Sequence, residues 1–133
     1  MNERRTGRIL IVEDEDALIR ILDFMLRARG YGVIAARDGT EALRLAMQEH
    51  PDLIVLDVML PGMDGIEVCR RLKADPEHRE IPIILLTAKA QSEDRRRGME
   101  AGADLFLTKP YDRSVLLSSV DRLVTASKQR GAA

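Results

Sequence analysis

The sequence predicts an α/β fold: one doubly wound domain, with five parallel strands and helices on both faces of the sheet. Three observations carry that prediction. Short apolar runs alternate with amphipathic stretches along the whole 133-residue chain. The runs are almost continuously Ile, Leu and Val, as expected of strands buried on both faces. Each run is followed by a stretch of helical period, and the alternation of strand and helix builds a parallel sheet. Right-handed crossovers then leave few topologies, and a doubly wound sheet fits best.

The elements read in order. Ile9 to Val12 is strand one. Leu18, Ile21, Leu22, Met25 and Leu26 recur at helical spacing, and Gly30 closes that helix. Gly32 to Ala36 is a short strand, and Asp38-Gly39 reads as a turn. Ala42, Leu43, Ala46 and Met47 form the next helical face, which stops before Pro51. Leu53 to Leu56 is strand three, and Pro61-Gly62 marks the loop after it. Asp64 and Glu67 have capping-box spacing, which starts a helix running from Gly65 to Lys73. A polar loop from Asp75 to Glu80 leads to strand four, Ile83 to Leu86, ending at Thr87. Ser92 is placed as the cap of a helix over Glu93 to Ala101. Leu105 to Leu107 is strand five, and Asp112 caps a last helix bearing Val115, Leu116, Val120, Leu123 and Val124. Residues 1–7 read as an extension, 8–126 as the domain and 127–133 as a flexible tail.

Composition bounds the function. Apolar content of 45% and charged content of 32% suit an ordinary globular domain. A net charge of −1 supplies no basic field, which argues against nucleic-acid binding. The single cysteine, Cys69, excludes an internal disulfide; beside Val68 and Leu72 it reads as a buried structural thiol. His50 and His78 are isolated in sequence and both look loop-borne, so neither suggests a zinc site. No segment reaches the apolar length of a membrane span, and M-N-E-R-R-T-G-R is not followed by the apolar core of a signal peptide. Cytoplasm is the expected location.

In sheets of this kind ligands bind beyond the carboxyl ends of the strands. There the sequence puts Glu13-Asp14 after strand one, Asp57 after strand three, Thr87 after strand four and Lys109-Pro110 after strand five. Three carboxylates at one edge repel each other unless a cation joins them. Asp14 and Asp57 can both bind a hard divalent ion through oxygen, and Glu13 can reach it through a water. Mg²⁺ is the expected ion, since it needs only one or two carboxylates and keeps several waters; Mn²⁺ is the alternative. An ionised Asp can then attack phosphorus, while Lys109 and the Thr87 hydroxyl meet phosphoryl oxygens. Each piece alone has an ordinary reading: helix-cap acids, a turn threonine, a solvated lysine. Their joint arrangement is the specific signal.

At this point the chain resembles the receiver domains of two-component response regulators. The resemblance runs over I-L-I-V-E-D-E, P-D-L-I-V-L-D-V-M-L-P-G-M-D-G, I-P-I-I-L-L-T-A and G-A-D-L-F-L-T-K-P. It implies a flavodoxin-like sheet in the order 2-1-3-4-5. It implies Asp57 as phosphoacceptor, with Mg²⁺ held by Asp14, Asp57 and the backbone carbonyl of Met59, and Glu13 as the second acid. Thr87 and Lys109 would bind the phosphoryl group, and the peptide between Lys109 and Pro110 would be cis. Thr87 moving inward would vacate space for Phe106 at the family's aromatic switch position; a permanently buried Phe106 is the alternative. Met59 and Lys89 fall at two positions that tune hydrolysis of the acyl phosphate, and both are long enough to slow it.

The resemblance implies a sensor histidine kinase or a histidine phosphotransfer protein as phosphodonor. The output partner is unnamed, and neither nucleic acid nor membrane is expected. Arg95 and Asp104 match the charged pattern of a dimer-forming class, but Leu105, Val115 and Ser119 fall where charged partners belong. A monomer or weak dimer is therefore expected, with Val115 and Ser119 assigned to an output face. Arg95-Arg96-Arg97 reads as a solvated helix face. A stand-alone receiver is favoured over a phosphate-independent interaction module, or a receiver cut from a multidomain regulator or hybrid kinase. A haloacid-type phosphatase would need a second Asp where Met59 stands. A flavodoxin phosphate loop would not carry E-D-E-D.

Overall fold

A computed structural model of the chain describes residues 7–88 and 92–132. Five strands and five helices alternate: β1 (Arg8–Val12), α1 (Asp16–Ala28), β2 (Gly32–Ala36), α2 (Gly39–Glu49), β3 (Leu53–Asp57), α3 (Gly65–Ala74), β4 (Ile83–Thr87), α4 (Ser92–Glu100), β5 (Leu105–Thr108) and α5 (Arg113–Ala132). The sheet is parallel throughout, in the order β2-β1-β3-β4-β5.

The two-residue period of the strands divides the core into two layers. Leu10, Val12, Ile54, Leu56, Ile83, Leu85 and Phe106 point to one face, against Ala42 and Ala46 of α2 and Ile66, Cys69 and Leu72 of α3. Ile9, Ile11, Leu53, Val55, Ile84 and Leu86 point to the other, against Leu22, Met25 and Leu26 of α1 and Leu116, Val120 and Val124 of α5. The strand residues are fully buried. Each such Leu or Ile contributes about 1.5–3 kcal/mol relative to exposure, so the register is set by many side chains at once.

The helix ends follow local chemistry. Asp38 accepts a hydrogen bond from Glu41 N at 2.8 Å, so Asp38-Gly39 starts α2 rather than forming a free turn. Asp64 accepts from Glu67 N at 2.9 Å, while the Glu67 carboxylate turns to Arg70 and Arg71 instead of completing the box. Ser92 is the first residue of α4 and not the residue before it. Asp112 accepts from Ser114 N at 2.8 Å and caps α5. Gly30 takes φ +99° after α1, a conformation open to glycine.

Two expectations change. α5 continues to Ala132, across most of the stretch read as a tail; Lys128 Nζ, 3.4 Å from Asp52 Oδ1, gives that last part a partner. The two histidines are not isolated either. His50 caps α2 in a left-handed conformation, φ 48°, and stacks on His78 with ring centroids 5.2 Å apart. His78 is buried in its turn, and its Nδ1 lies 2.9 Å from Asp75 Oδ2.

Candidate functional site

The strand register delivers the polar residues to one edge. Val12 pairs with Ala36 and Leu56, Asp57 with Leu86, and Thr87 with Thr108. Glu13 and Asp57 therefore stand in the same row, each one residue beyond a paired apolar position. The ladder continues past the strand ends: Glu13 N donates to Ala36 O at 3.1 Å, Val58 N to Leu86 O at 2.9 Å and Lys109 N to Thr87 O at 2.8 Å. Period two then sorts the side chains. Glu13, Asp57 and Lys109 carry the parity of the α1–α5 face. Thr87 carries the parity of Leu85 and Phe106, on the opposite face.

The charged cluster is compact. Lys109 Nζ lies 2.7 Å from Asp57 Oδ2 and 3.0 Å from Glu13 Oε1. Asp57 Oδ1 accepts from Met59 N at 2.9 Å, and Glu13 Oε2 from Glu15 N at 3.3 Å. Both acids are buried, at 2% exposure for Glu13 and 6% for Asp57. Burial raises the Glu13 carboxyl to about pH 6, and Asp57 adds to the rise, against the opposing pull of Lys109. Burial disfavours the Lys109 ammonium, but its bonds to Asp57 and Glu13 outweigh that and hold its pKa above the ordinary lysine value. The Lys109–Pro110 peptide is cis.

Beside the cluster is an open hollow of about 480 Å³, whose walls include Asp14, Met59, Thr87, Asp64 and Asp94. Asp14 is exposed, Thr87 is buried at 1%, and the Met59 side chain is half exposed. Across Lys109 lies a second hollow of about 480 Å³, walled by Leu18, Ile21, Leu22, Tyr111 and Arg113. The structure thus gathers Glu13, Asp57 and Lys109 in direct contact, with Asp14, Met59 and Thr87 around the adjoining hollow. Phe106 sits one layer below, buried at 3%. Lys89 lies outside the described residues.

The donor set fits a hard divalent cation. Among the described residues no three His, Cys, Asp or Glu side chains converge as a metal cage. Mg²⁺ does not ask for one, because it takes one or two carboxylates and completes its shell with waters and phosphate oxygens. Here Asp14 and Asp57 would supply carboxylates and Met59 a main-chain carbonyl. The charge also fits: Glu13 and Asp57 share the ammonium of Lys109, and Asp14 adds a third carboxylate at the adjoining hollow.

Sequence reasoning missed the residues that let the backbone close up around this edge. A Cβ on Gly65 would stand 2.2 Å from Asp57 O, and one on Gly39 2.1 Å from Met63 O. Only glycine permits α3 and α2 to begin so near the loop that follows Asp57. Their signal was the Asp-Gly pair at 38–39 and again at 64–65, legible as cap and turn but not as close approach. Two assignments change, those of Ser119 and Asp104. Ser119 is buried at 7%, so it leaves the output face, whereas Val115 is 45% exposed. Asp104 is engaged within the chain, its Oδ2 accepting from Lys73 Nζ at 3.1 Å and Ile83 N at 2.8 Å. Glu15 at the N-cap position of α1 and Asp16 in its first turn keep the ordinary reading of acids that follow a strand, although Glu15 makes no side-chain cap bond; Asp16 pairs with Arg37 at 2.7 Å. Cys69 is fully buried, and burial pushes its thiol up to about 11, far from a reactive thiolate.

Comparison with known proteins agrees with this geometry. The profile of the response regulator receiver domain matches residues 9–121. The chain is 49% identical over 118 residues to the response regulator PleD of Caulobacter vibrioides, covering 89% of this chain and 26% of PleD. It is 50% identical over 104 residues to the alkaline phosphatase synthesis transcriptional regulatory protein PhoP of Bacillus subtilis, covering 78% of this chain and 42% of PhoP. The chain therefore spans less than half the length of either relative. Among solved structures, the receiver domain of sensor histidine kinase PA1611 from Pseudomonas aeruginosa matches with a TM-score of 0.83 at 36% identity, covering 91% of this chain and 99% of that one; it carries a magnesium ion coordinated in its active site cleft.

Proposed function

The chain belongs to the response regulator receiver family, a signalling domain of two-component systems, and from that premise we propose that Asp57 is its phosphoacceptor. One observation carries the proposal: a buried carboxylate at the end of the central strand β3 shares the ammonium of Lys109 with a second buried acid, Glu13. The reaction is transfer from a phosphohistidine of a sensor histidine kinase or a histidine phosphotransfer protein. An Asp57 oxygen forms a bond to phosphorus as the phosphorus–nitrogen bond of the donor breaks, and the donor imidazole leaves. Lys109 exchanges its bond to Asp57 for one to a phosphoryl oxygen, and the Thr87 hydroxyl meets another. Asp14, Asp57 and the Met59 carbonyl would hold Mg²⁺, with Glu13 reaching it through water; the ion supplies positive charge to carboxylate and phosphoryl oxygens.

Thr87 and Phe106 share a face of neighbouring strands, which supports their assignment as the switch pair. Drawing Thr87 toward the phosphoryl group changes the room left for the ring. The ligand biases two packings that exist already. Met59, half exposed at the hollow, is positioned to shield phosphorus and slow hydrolysis, and Lys89 is assigned the same role. The donor's docking face is the apolar hollow beside Lys109, continued by the exposed Ile21 and Phe24 of α1.

Intact-mass spectrometry after incubation with a small acyl phosphate and Mg²⁺ tests the core claim. One added phosphoryl group, absent in Asp57→Asn and absent with chelator, is the expected result. No adduct on the wild type would leave a phosphate-independent interaction module as the better reading.

A further inference from the structure

Three arginines follow one another on α4, and they behave differently. Arg96 pairs with Glu93 at 2.6 Å and Glu100 at 2.8 Å, and Arg97 lies 3.8 Å from Asp94. These two solvate their own helix. Arg95 makes no ion pair among the described residues and turns to β5 instead. Its guanidinium carbon stands 4.9 Å from the centroid of the Phe106 ring. Its Nη1 donates to the backbone oxygen of the same Phe106 at 3.3 Å. One side chain thus holds both the face of the ring and the strand that bears it.

The inner side of the ring depends on a missing side chain. Gly98, one turn along α4, is buried, and a Cβ there would stand 3.0 and 3.2 Å from Phe106 ring atoms and 2.8 Å from Leu85 Cδ1. α4 can lie this close to β4 and β5 only because residue 98 is glycine, and the ring slots into the space. Gly98 forms the floor and Arg95 the lid. A ring that swings outward loses the cation over its face, an interaction strongest when partly desolvated.

We propose that Arg95 is a positioning residue of the switch, a latch that holds Phe106 in its buried rotamer and so sets how readily the ring exchanges. The proposal rests on the reading of Thr87 and Phe106 given above. It also assigns Arg95 to a contact within its own domain rather than to a charged pair between two copies. Asp104, the other residue of that dimer pattern, is likewise engaged within the chain by Lys73.

The chain has two phenylalanines, Phe24 at 75% exposure and Phe106 at 3%. Incorporated 4-fluorophenylalanine therefore gives two fluorine resonances with opposite accessibility, and a soluble paramagnetic agent distinguishes them. In the wild type Phe106 is expected to be protected. Arg95→Gln is expected to raise its exposed population about two- to five-fold, the ratio for loss of an exposed cation–π contact. Arg95→Lys keeps the charge without the flat fork and should fall between. Urea unfolding of the same samples separates local release of the ring from loss of the fold. Equal protection of Phe106 in wild type and Arg95→Gln overturns the latch. Beryllofluoride added to the wild type tests the underlying switch independently: a Phe106 resonance that ignores it, yet is released in Arg95→Gln, keeps the latch and overturns the switch reading.

Discussion

Glu13→Gln should stabilise the protein, and by an amount that depends on pH. The wild-type carboxyl is raised from 4.5 to about 6 by burial and by Asp57. The native state therefore holds the proton more tightly than the unfolded chain, and wild-type stability falls as pH rises from 4.5 to 6, then levels. Above that window the ionised Glu13 costs about 2 kcal/mol, from 1.36 kcal/mol per pKa unit. The cost is chiefly that of burying the carboxylate, with Asp57 adding to it and Lys109 opposing it. The Glu13 and Asp57 oxygens share Lys109 at 3.0 and 2.7 Å, so its attraction offsets their mutual repulsion and leaves desolvation as the main cost. Glutamine keeps the shape and the acceptor without the charge. Urea unfolding in chelator at pH 4.5 and 7.5 reads the effect. The advantage of Glu13→Gln should grow by about 1.5 kcal/mol between the two, a midpoint shift near 1 M for a slope of about 1.5 kcal/mol/M. Mg²⁺ at pH 7.5 should then stabilise the wild type more than the variant. An advantage that stays constant with pH, or shrinks as pH rises, would refute the charge argument.

Two further substitutions test the scaffold. Gly65→Ala should cost about 3 kcal/mol and slow phosphorylation, because the new Cβ meets Asp57 backbone at 2.2 Å, whereas Gly62→Ala, strained only by φ +73° with open space around it, should cost about 1–2 kcal/mol; equal urea midpoints would sink the close-approach argument. Lys73→Met should cost about 2–3 kcal/mol, since its Nζ bonds Ile81 O at 2.8 Å, Arg79 O at 3.1 Å and Asp104 at 3.1 Å; amide exchange across 75–81 should accelerate, and an unchanged rate would show that Lys73 does not fasten that turn.

Which parts of this were legible in the chain follows from the range of the interactions involved. Strands and helix faces were legible because period two and period 3.6 are local patterns, read from a handful of residues. The site was legible because a parallel sheet delivers every strand's carboxyl end to one edge, so Glu13, Asp57, Thr87 and Lys109 need only follow their strands. The errors concern contacts across long separations. His50 and His78 look solitary in sequence but meet ring to ring, because α2 and the turn after α3 end side by side. Ser119 looks exposed by class and is buried by the rotation of α5. Gly65 and Gly39 read as turn residues, while their importance is an atom they lack against a backbone 8 and 24 positions away in the chain. The end of α5 read as tail because nothing local holds it, and its partner is Asp52, 76 residues distant.

On the proposed reading, the two faces of the sheet would let one edge serve as both a reaction site and a lever. Side-chain parity puts the charge chemistry of Glu13, Asp57 and Lys109 over the α1–α5 layer. It puts Thr87, two residues past Leu85, over the α2–α4 layer. Leu85 pairs directly with Phe106 in the ladder, and Gly98 of α4 touches both. On the proposed switch, a shift of Thr87 would be felt first by the Leu85–Phe106 row and next by α4. The opposite face is packed by α1 and α5 with large aliphatic side chains, whereas α4 meets the sheet through a glycine and a single stacked guanidinium. On the proposed reading, a change in charge at the edge would pass most easily through α4. This asymmetry in packing is the physical reason to expect output on the Phe106 side and phosphodonor docking on the Lys109 side.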